Sequence, residues 1–444
     1  MWPLLGLMTS DEVAKHYCND TMSLVLGTFI LSIAVQRWGI DKRLALWMVT
    51  KVGRHPRLLM CVLMLITMFL GCFMSNTSTA TIMTPIATSL VTPQDQLQPD
   101  VPADVRQAAT NFSKGLVLCI AYTCSTSGFA TLTGTGPNMI LAGLWRQSSG
   151  EDIGWLQWLA FALPLSALLN VCVYCICCGV YCNSPTSVVA QVINMESLLE
   201  EKAQLPAWRL EETVVVLHYV VCVVLWTTRT VTLGAFNGWG VYFPFVGNGT
   251  VAVMCAASLF AWPAQGTRPA LGGAAGTQGP RVMDWDAANK LKWSTLLLIG
   301  GGFALSAGVE KSGLSNLIAK AFEPLQDLQC HVTVLVTIVL VVFITDWLLS
   351  SNVAVATLVL PILNSSANHL KLDPLALLIP ATIACSMSYC SPVSTPPNAI
   401  AFSTGVMHVR DMVSTGALVA ICGIILTWLF ALYIVPFVFS YSTC

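Results

Sequence analysis

Charged side chains are scarce in this chain. Asp, Glu, Lys and Arg make up 10% of its 444 residues, against roughly a quarter in an ordinary soluble domain. That deficit argues against a water-soluble globular protein. The 21 Lys and Arg nearly balance the 22 Asp and Glu, so no basic excess points to nucleic acid as a partner. No nucleophile–base set, zinc-ligand spacing or phosphate loop stands out, which leaves enzyme chemistry without support. The 17 cysteines suggest no disulfide framework, because most lie inside apolar runs. The densest group, Cys172, Cys175, Cys177, Cys178 and Cys182, has no histidine beside it. Small residues packing in a membrane helix are the expected reading there, ahead of palmitoylation at Cys178 or Cys182 and well ahead of a metal.

What the chain has is apolar surface. Hydrophobic residues make up 55% and mean hydropathy is +0.71, which predicts an all-α, multi-pass integral membrane protein in contact with lipid. Nothing in the composition separates plasma membrane from vacuolar membrane.

Two apolar runs, Leu58–Phe73 and Ser78–Val91, flank the polar triplet Ser75-Asn76-Thr77. At about 1.5 Å per residue neither run crosses a hydrocarbon core of about 30 Å with ease, and joined as one helix they are far too long. A re-entrant hairpin with a polar tip resolves this. Irregular backbone at that depth is tolerated where it is buried in protein or lines a wet cavity, so the tip reads as part of a binding site.

The rest of the chain organises around that hairpin. Residues 1–20 read as the remnant of a preceding span and an external loop. A first repeat over 21–180 holds a span (Thr21–Trp38), an interfacial amphipathic segment (Gly39–Gly53), the hairpin 58–91, a polar loop (Thr92–Lys114), a broken span 115–145 and a closing span (Trp155–Val180). The break is Thr133-Gly134-Thr135-Gly136-Pro137-Asn138, where proline removes a helical N–H. A cytoplasmic loop covers 181–212. The second repeat, 213–439, holds spans at Thr213–Thr228 and Thr250–Trp262, a flexible linker within 263–292, a span at Trp293–Val309, an interfacial segment at Leu314–Phe322, a hairpin 331–370, a broken span 375–407 and a last span at Val413–Phe439.

The copies are legible residue by residue. Ser75–Pro85 reads SNTSTATIMTP and Ser351–Pro361 reads SNVAVATLVLP; Thr135-Gly136-Pro137-Asn138 is echoed by Thr395-Pro396-Pro397-Asn398. Five crossings between the hairpins bring them in from opposite faces, the inverted-repeat plan of secondary transporters. With the first hairpin entering from the cytoplasm, only Lys15, Arg146, Arg229, Lys311, Lys320 and Lys371 of the 21 Lys and Arg lie outside, a positive-inside bias. The sequon at Asn19 is then external and the one at Asn76 buried.

Half-helix N-termini offer unpaired N–H groups to an anion, and half-helix C-termini with Ser, Thr and Asn oxygens suit a hard cation. No Lys or Arg sits within the tips, so dipoles and neighbouring cations are expected to hold the anion. Isolated Ser, Thr or Asn in membrane helices more often only bonds a neighbouring helix; four matched instances argue for a site. Asp346, ahead of the second tip, is either an ion site or a paired carboxylate.

These residues resemble the divalent-anion:sodium symporter family, which carries dicarboxylates, citrate or sulfate. The likeness runs from near Leu5 to near Phe439 and is carried by Ser75-Asn76-Thr77, Thr131–Asn138, Leu298–Leu305, Ser351-Asn352-Val353 and Thr395–Ile400. The chain is also similar to plant vacuolar dicarboxylate carriers around Asp20–Leu46 and Asp284–Lys292. The resemblance implies a homodimer with a scaffold domain and a transport domain that moves as an elevator. It implies substrate contact by Ser75, Asn76, Thr77, Ser351, Asn352 and Val353, with Thr135 and Thr395 beside them. It implies two sites for co-transported sodium: one from Ser75, Asn76, Thr133, Gly134, Gly136 and Asn138, the other from Ser350, Asn352, Ser394, Thr395 and Asn398. Family members have three further spans ahead of the first one here, with Trp2–Met8 resembling the tail of the third. The family's acidic residue stands closer to the second tip than Asp346 does, and Val355 and Ala356 replace frequent threonines. The function expected is sodium-coupled symport of di- or tricarboxylates such as succinate, malate or citrate. Sulfate transport on the same fold and a truncated, non-transporting membrane protein are the alternatives.

Overall fold

The computed structural model describes residues 2–91, 102–230, 232–233, 236–264, 281–314, 329–370 and 372–439. Among the described residues the regular structure is helical apart from two two-residue strands, β1 (Thr232–Leu233) and β2 (Phe236–Asn237), which the sequence did not announce. Among the described residues, seven helices are long and apolar enough to cross a membrane.

The opening segment is more ordered than the loop expected over residues 1–20. Thr9 and Glu12 form a reciprocal capping box at the start of α1 (Ser10–Tyr17). Asn19 caps α2 (Asp20–Trp38): its Oδ1 accepts from the Met22 N–H at 2.9 Å and its amide donates to the His16 carbonyl at 3.2 Å. The expected external sequon is therefore engaged as a helix cap. Gly39, at φ 64°, ends α2 in the left-handed region that glycine tolerates and turns the chain directly into α3 (Ile40–Val49), within the expected interfacial segment.

Pro56 opens α4 (Pro56–Phe73), and Ser75 opens α5 (Asn76–Ser89). The polar loop expected over 92–114 is helical in its second part: α6 runs from Ala103 to Gly128. Val105, Ala108, Ala109 and Phe112 are buried at helical spacing, so the polar residues between them only cover the opposite face. After a break come α7 (Gly136–Ser149) and α8 (Trp155–Tyr181). The expected loop over 181–212 contains α9 (Thr186–Gln191) and α10 (Met195–Ala203). Ion pairs Lys42–Glu201 at 2.6 Å and Arg43–Glu212 at 2.9 Å fasten this region to α3.

In the second half, α11 (Leu210–Arg229) leads to α12 (Asn248–Ser258). The latter is about 16 Å long and stops four residues before the expected end at Trp262. Phe260 and Ala261 donate three residues back, to Ala257 and Ser258, so the helix tightens into turns there. Asp284 caps the short α13 (Trp285–Ala288), within the stretch expected to be linker; residues 265–280 of that stretch lie outside the described residues. Next come α14 (Trp293–Lys311), α15 (Cys330–Phe343) and a single wide π turn (Ile344–Leu348). The expected interfacial segment Leu314–Phe322 lies outside the described residues beyond Leu314. The chain closes with α16 (Asn352–His369), α17 (Pro374–Ala384), α18 (Pro396–Ser403), α19 (Val409–Tyr433) and α20 (Val435–Phe439).

Packing within the halves is matched. α4 and α5 pack on α6, and α6 packs on α8; correspondingly α15 and α16 pack on α17, and α17 packs on α19. The halves also exchange partners. α5 packs against α18, α16 packs against α7, and α8 packs along α19. Each broken helix thus receives the second arm of the other half's helix pair.

Candidate functional site

The two tips are built alike. In the first, Met74 is extended and Ser75 caps α5, its Oγ accepting from the Ser78 N–H at 3.3 Å while the Thr79 N–H reaches the Ser75 carbonyl at 3.0 Å. In the second, Ser351 Oγ accepts from the Ala354 N–H at 3.3 Å and the Val355 N–H reaches the Ser351 carbonyl at 3.0 Å. Each cap uses the third and fourth N–H groups after the serine. The N–H groups of Asn76 and Thr77, and of Asn352 and Val353, remain without intrahelical acceptors.

The two breaks are also alike. Thr135 and Thr395 precede α7 and α18 with nearly the same backbone, φ −143° and ψ 152° against φ −141° and ψ 152°. Pro137 falls in the first turn of α7, where its missing N–H costs no bond, so it starts a helix instead of interrupting one. Asn138 is fully buried and its amide donates to the carbonyls of Phe129 and Thr131 at 3.3 and 2.7 Å. Asn398, equally buried, donates to those of Ser388 and Ser391 at 3.2 and 3.0 Å. Each asparagine side chain satisfies carbonyls that the broken helix leaves bare.

That geometry leaves the other ends of these amides unused. The Oδ1 atoms of Asn76, Asn138, Asn352 and Asn398 are all buried without a hydrogen-bond donor. So is the hydroxyl of Thr395. Buried polar atoms are normally paired, and four orphans at four corresponding positions indicate a missing partner. Neutral amide and hydroxyl oxygens are the donor set of a hard cation such as sodium. Thr131 Oγ1 ties the first break to the Cys72 carbonyl at 2.6 Å. A methyl group on Gly128 would lie 2.2 Å from Asn76 Oδ1, so the first tip and first break are in contact. A methyl on Gly136 would lie 2.4 Å from Val353 Cγ2, which brings the second tip onto the first break.

Other candidates fall around this core. Ser75, Asn76, Thr77, Ser351, Asn352 and Val353 are half-buried, as are Thr133 and Gly136. Gly134, Thr135, Ser394 and Thr395 are buried, with Ser394 Oγ donating to the Ser391 carbonyl at 2.7 Å. Ser350 is exposed, one residue ahead of the capping serine, and is the candidate least enclosed.

Two charged residues separate the halves. Asp346 sits in the π turn, buried, with its Oδ1 accepting from Ser388 Oγ at 3.2 Å and from the Cys390 N–H at 3.1 Å. The wide turn holds one residue more than an α-helical turn, and the carboxylate it carries bonds groups at the second break. Lys292, at the start of α14, lies outside both tip motifs. Its Nζ donates to Ser75 Oγ at 3.0 Å, although 217 positions separate the two residues. The expectation that no fixed cation attends either tip is corrected at the first one.

A family model described as the sodium:sulfate symporter transmembrane region matches residues 3–440. The Na(+)/citrate cotransporter of Mus musculus is 32% identical, over 97% of this chain and 84% of its own length. The sodium-dependent dicarboxylate transporter SdcS of Staphylococcus saprophyticus is 31% identical, over 98% and 80% respectively. Solute carrier family 13 member 2 of Rattus norvegicus is 34% identical, over 96% and 82%. Among solved structures, the YdaH transporter of Alcanivorax borkumensis superposes with a TM-score of 0.55 at 11% identity, covering 96% of this chain and 90% of that one. MtrF of Neisseria gonorrhoeae gives 0.54 at 14%, covering 95% and 83%. At such identities these two show the fold alone.

Proposed function

The chain belongs to the sodium:sulfate symporter family, and from that premise we propose that it is a multi-pass membrane transporter that carries di- and tricarboxylates together with sodium. Relatives at about this identity over nearly the whole chain are named for citrate and dicarboxylates. The observation that carries the proposal within the molecule is the set of four unpaired asparagine oxygens, two in each half, at the tips and breaks.

The geometry supports a division of labour between cation and anion sites. Sodium at the first site draws on Asn76 and Asn138 with the turn Thr133–Gly136 and Ser75. Sodium at the second draws on Asn352, Asn398, Thr395 and Ser394, with the Asp346 carboxylate close behind through Ser388. The anion lies between the tips, on the free N–H groups that follow Ser75 and Ser351, with Thr135 and Thr395 beside it. Positive helix ends and bound sodium both favour its carboxylates. Occupied cation sites therefore precondition the anion site, which is the physical basis of coupling.

The halves are proposed to enter the bilayer from opposite faces as re-entrant hairpins. Five intervening crossings support this, with α12 and its flanking turns counted as one, as does the Lys and Arg bias. The matched packing of the two halves fits the same plan. A scaffold carrying a moving transport domain, in a homodimer, is the arrangement proposed for the exchange between faces.

The test is uptake of labelled succinate and citrate into vesicles containing the purified protein. An inward sodium gradient is expected to drive accumulation above equilibrium. Equal uptake with and without any cation gradient would refute sodium coupling. Competition by sulfate stronger than by succinate would move the substrate class to sulfate.

A further inference from the structure

We infer that Lys292 is a substrate-anchoring residue, whose ammonium pairs with one carboxylate of the anion held at Ser75, Asn76 and Thr77. This rests on the proposal that the tips bind an anion, and it adds a fixed charge to a site otherwise made of dipoles and neutral side chains.

Three observations carry it. First, Lys292 reaches inward. Its Nζ bonds Ser75 Oγ at 3.0 Å, and that hydroxyl also shares a 2.8 Å bond with Ser78 Oγ. A lysine at a helix start in a membrane protein ordinarily extends its charge toward water or headgroups; this one is aimed at the tip. Second, it has no counter-ion among the described residues. None of the ion pairs among the described residues includes Lys292. Burial pushes its pKa down, with no neighbouring carboxylate to raise it. A half-buried ammonium with only a hydroxyl for company is poorly compensated, and an arriving carboxylate would supply what is missing. Third, the same place already favours an anion. The N–H groups of Asn76 and Thr77 open the 14-residue helix α5 at that serine. The four-carbon lysine stem lets the ammonium swing from the hydroxyl to an oxygen bound beside it.

The consequence is a polarised site. One carboxylate of the substrate meets a permanent cation at the first tip. The other meets the second tip, where Val353 and Val355 stand and no lysine reaches among the described residues. A dianion with charge at both ends would therefore bind in one orientation.

The experiment uses the purified full-length protein in sodium buffer and follows thermal stabilisation by succinate, citrate and sulfate. Lys292→Gln is expected to raise the half-saturating concentration of succinate at least tenfold, with sodium's own stabilisation retained or modestly strengthened, because a like charge beside Ser75 is lost. Lys292→Arg, which keeps the charge, is expected to stay within about threefold of wild type. Lys292→Met, close in shape, must show the same loss and stands in if the glutamine variant does not fold. Identical succinate midpoints in wild type and Lys292→Gln, or in wild type and Lys292→Met, would overturn the assignment. Wild-type protein stabilised by sulfate and not by carboxylates would remove the carboxylate reading, leaving Lys292 to be judged by the same comparison on sulfate. A wild type that responds to none of the three overturns both.

Discussion

At the first tip Ser75 leads into Asn76, Thr77, Ser78 and Thr79; at the second, Ser351 leads into Asn352, Val353, Ala354 and Val355. The caps, the backbone and the asparagine amides correspond. The side chains that follow do not: hydroxyls in the first half become aliphatic in the second. Charge follows the same division. The first tip is touched by an ammonium, Lys292, and the second break by a carboxylate, Asp346. The shared part is what a broken helix needs in order to exist at all, namely a capping serine and an asparagine that covers bare carbonyls. The part that differs is free of that duty, and there the two halves have taken opposite electrostatic characters.

The sharpest way to break this comparison is at the contact between halves. Gly136→Val would drive a side chain into Val353. Overpacking of this kind costs about 1–3 kcal/mol, so uptake should fall roughly 10- to 100-fold. Val353→Ala in the same chain should recover most of it. The corresponding Pro396→Gly in the second half should change uptake far less, because Pro396 is exposed.

Next come the buried amides. Asn138→Ala and Asn398→Ala each strip two backbone carbonyls of their donor and remove one unpaired oxygen proposed to hold a cation. At about 1–3 kcal/mol for each unsatisfied site, the half-saturating sodium concentration should rise by about tenfold in both. A loss in one variant alone, with the other protein folded, would show that only one half holds a cation.

Asp346→Asn probes the difference between the halves. It should weaken sodium activation by about threefold, since a charge beside the second site is lost while its hydrogen-bond partners remain. The half-saturating anion concentration should not move. A change in anion affinity instead would place Asp346 with the substrate.

The smallest effect on uptake lies outside both tips, in α3. Asp41 is buried, with one carboxylate oxygen accepting from the Lys42 N–H at 2.7 Å and the other unpaired. Burial pushes its pKa from 3.8 to about 6. The folded protein therefore prefers the protonated acid, and stability declines as pH rises from about 4 to about 6. The loss is at most about 3 kcal/mol. Asp41→Asn should raise the melting temperature by a few degrees at pH 7.5 and leave it unchanged at pH 4, with uptake per folded molecule unaltered.

The sequence made the tips and breaks visible because their signals are local. Ser75-Asn76 and Ser351-Asn352 recur with their flanking proline at one spacing, and the cap geometry that results needs only neighbouring residues. The helical stretch before Lys114 is hidden in the sequence by its polar face, while Val105, Ala108, Ala109 and Phe112 mark a buried face that only packing makes plain. The wide turn at Asp346 has no local signature in the sequence, since a π turn differs from an α turn by one residue. Lys292 was beyond reach. Nothing in Leu291-Lys292-Trp293 marks a partner at Ser75, and contacts over such separations are fixed by how helices pack.

A carrier must let go as readily as it takes hold. The asparagine oxygens around the first break bear no formal charge, and ligand charge is the main lever by which proteins tighten their grip on metal ions. Sodium resting there would come and go with its concentration outside the cell or compartment, never lodging as a permanent tenant. Weak attachment of this sort lets a steep ion gradient, instead of a tight pocket, decide which way cargo travels.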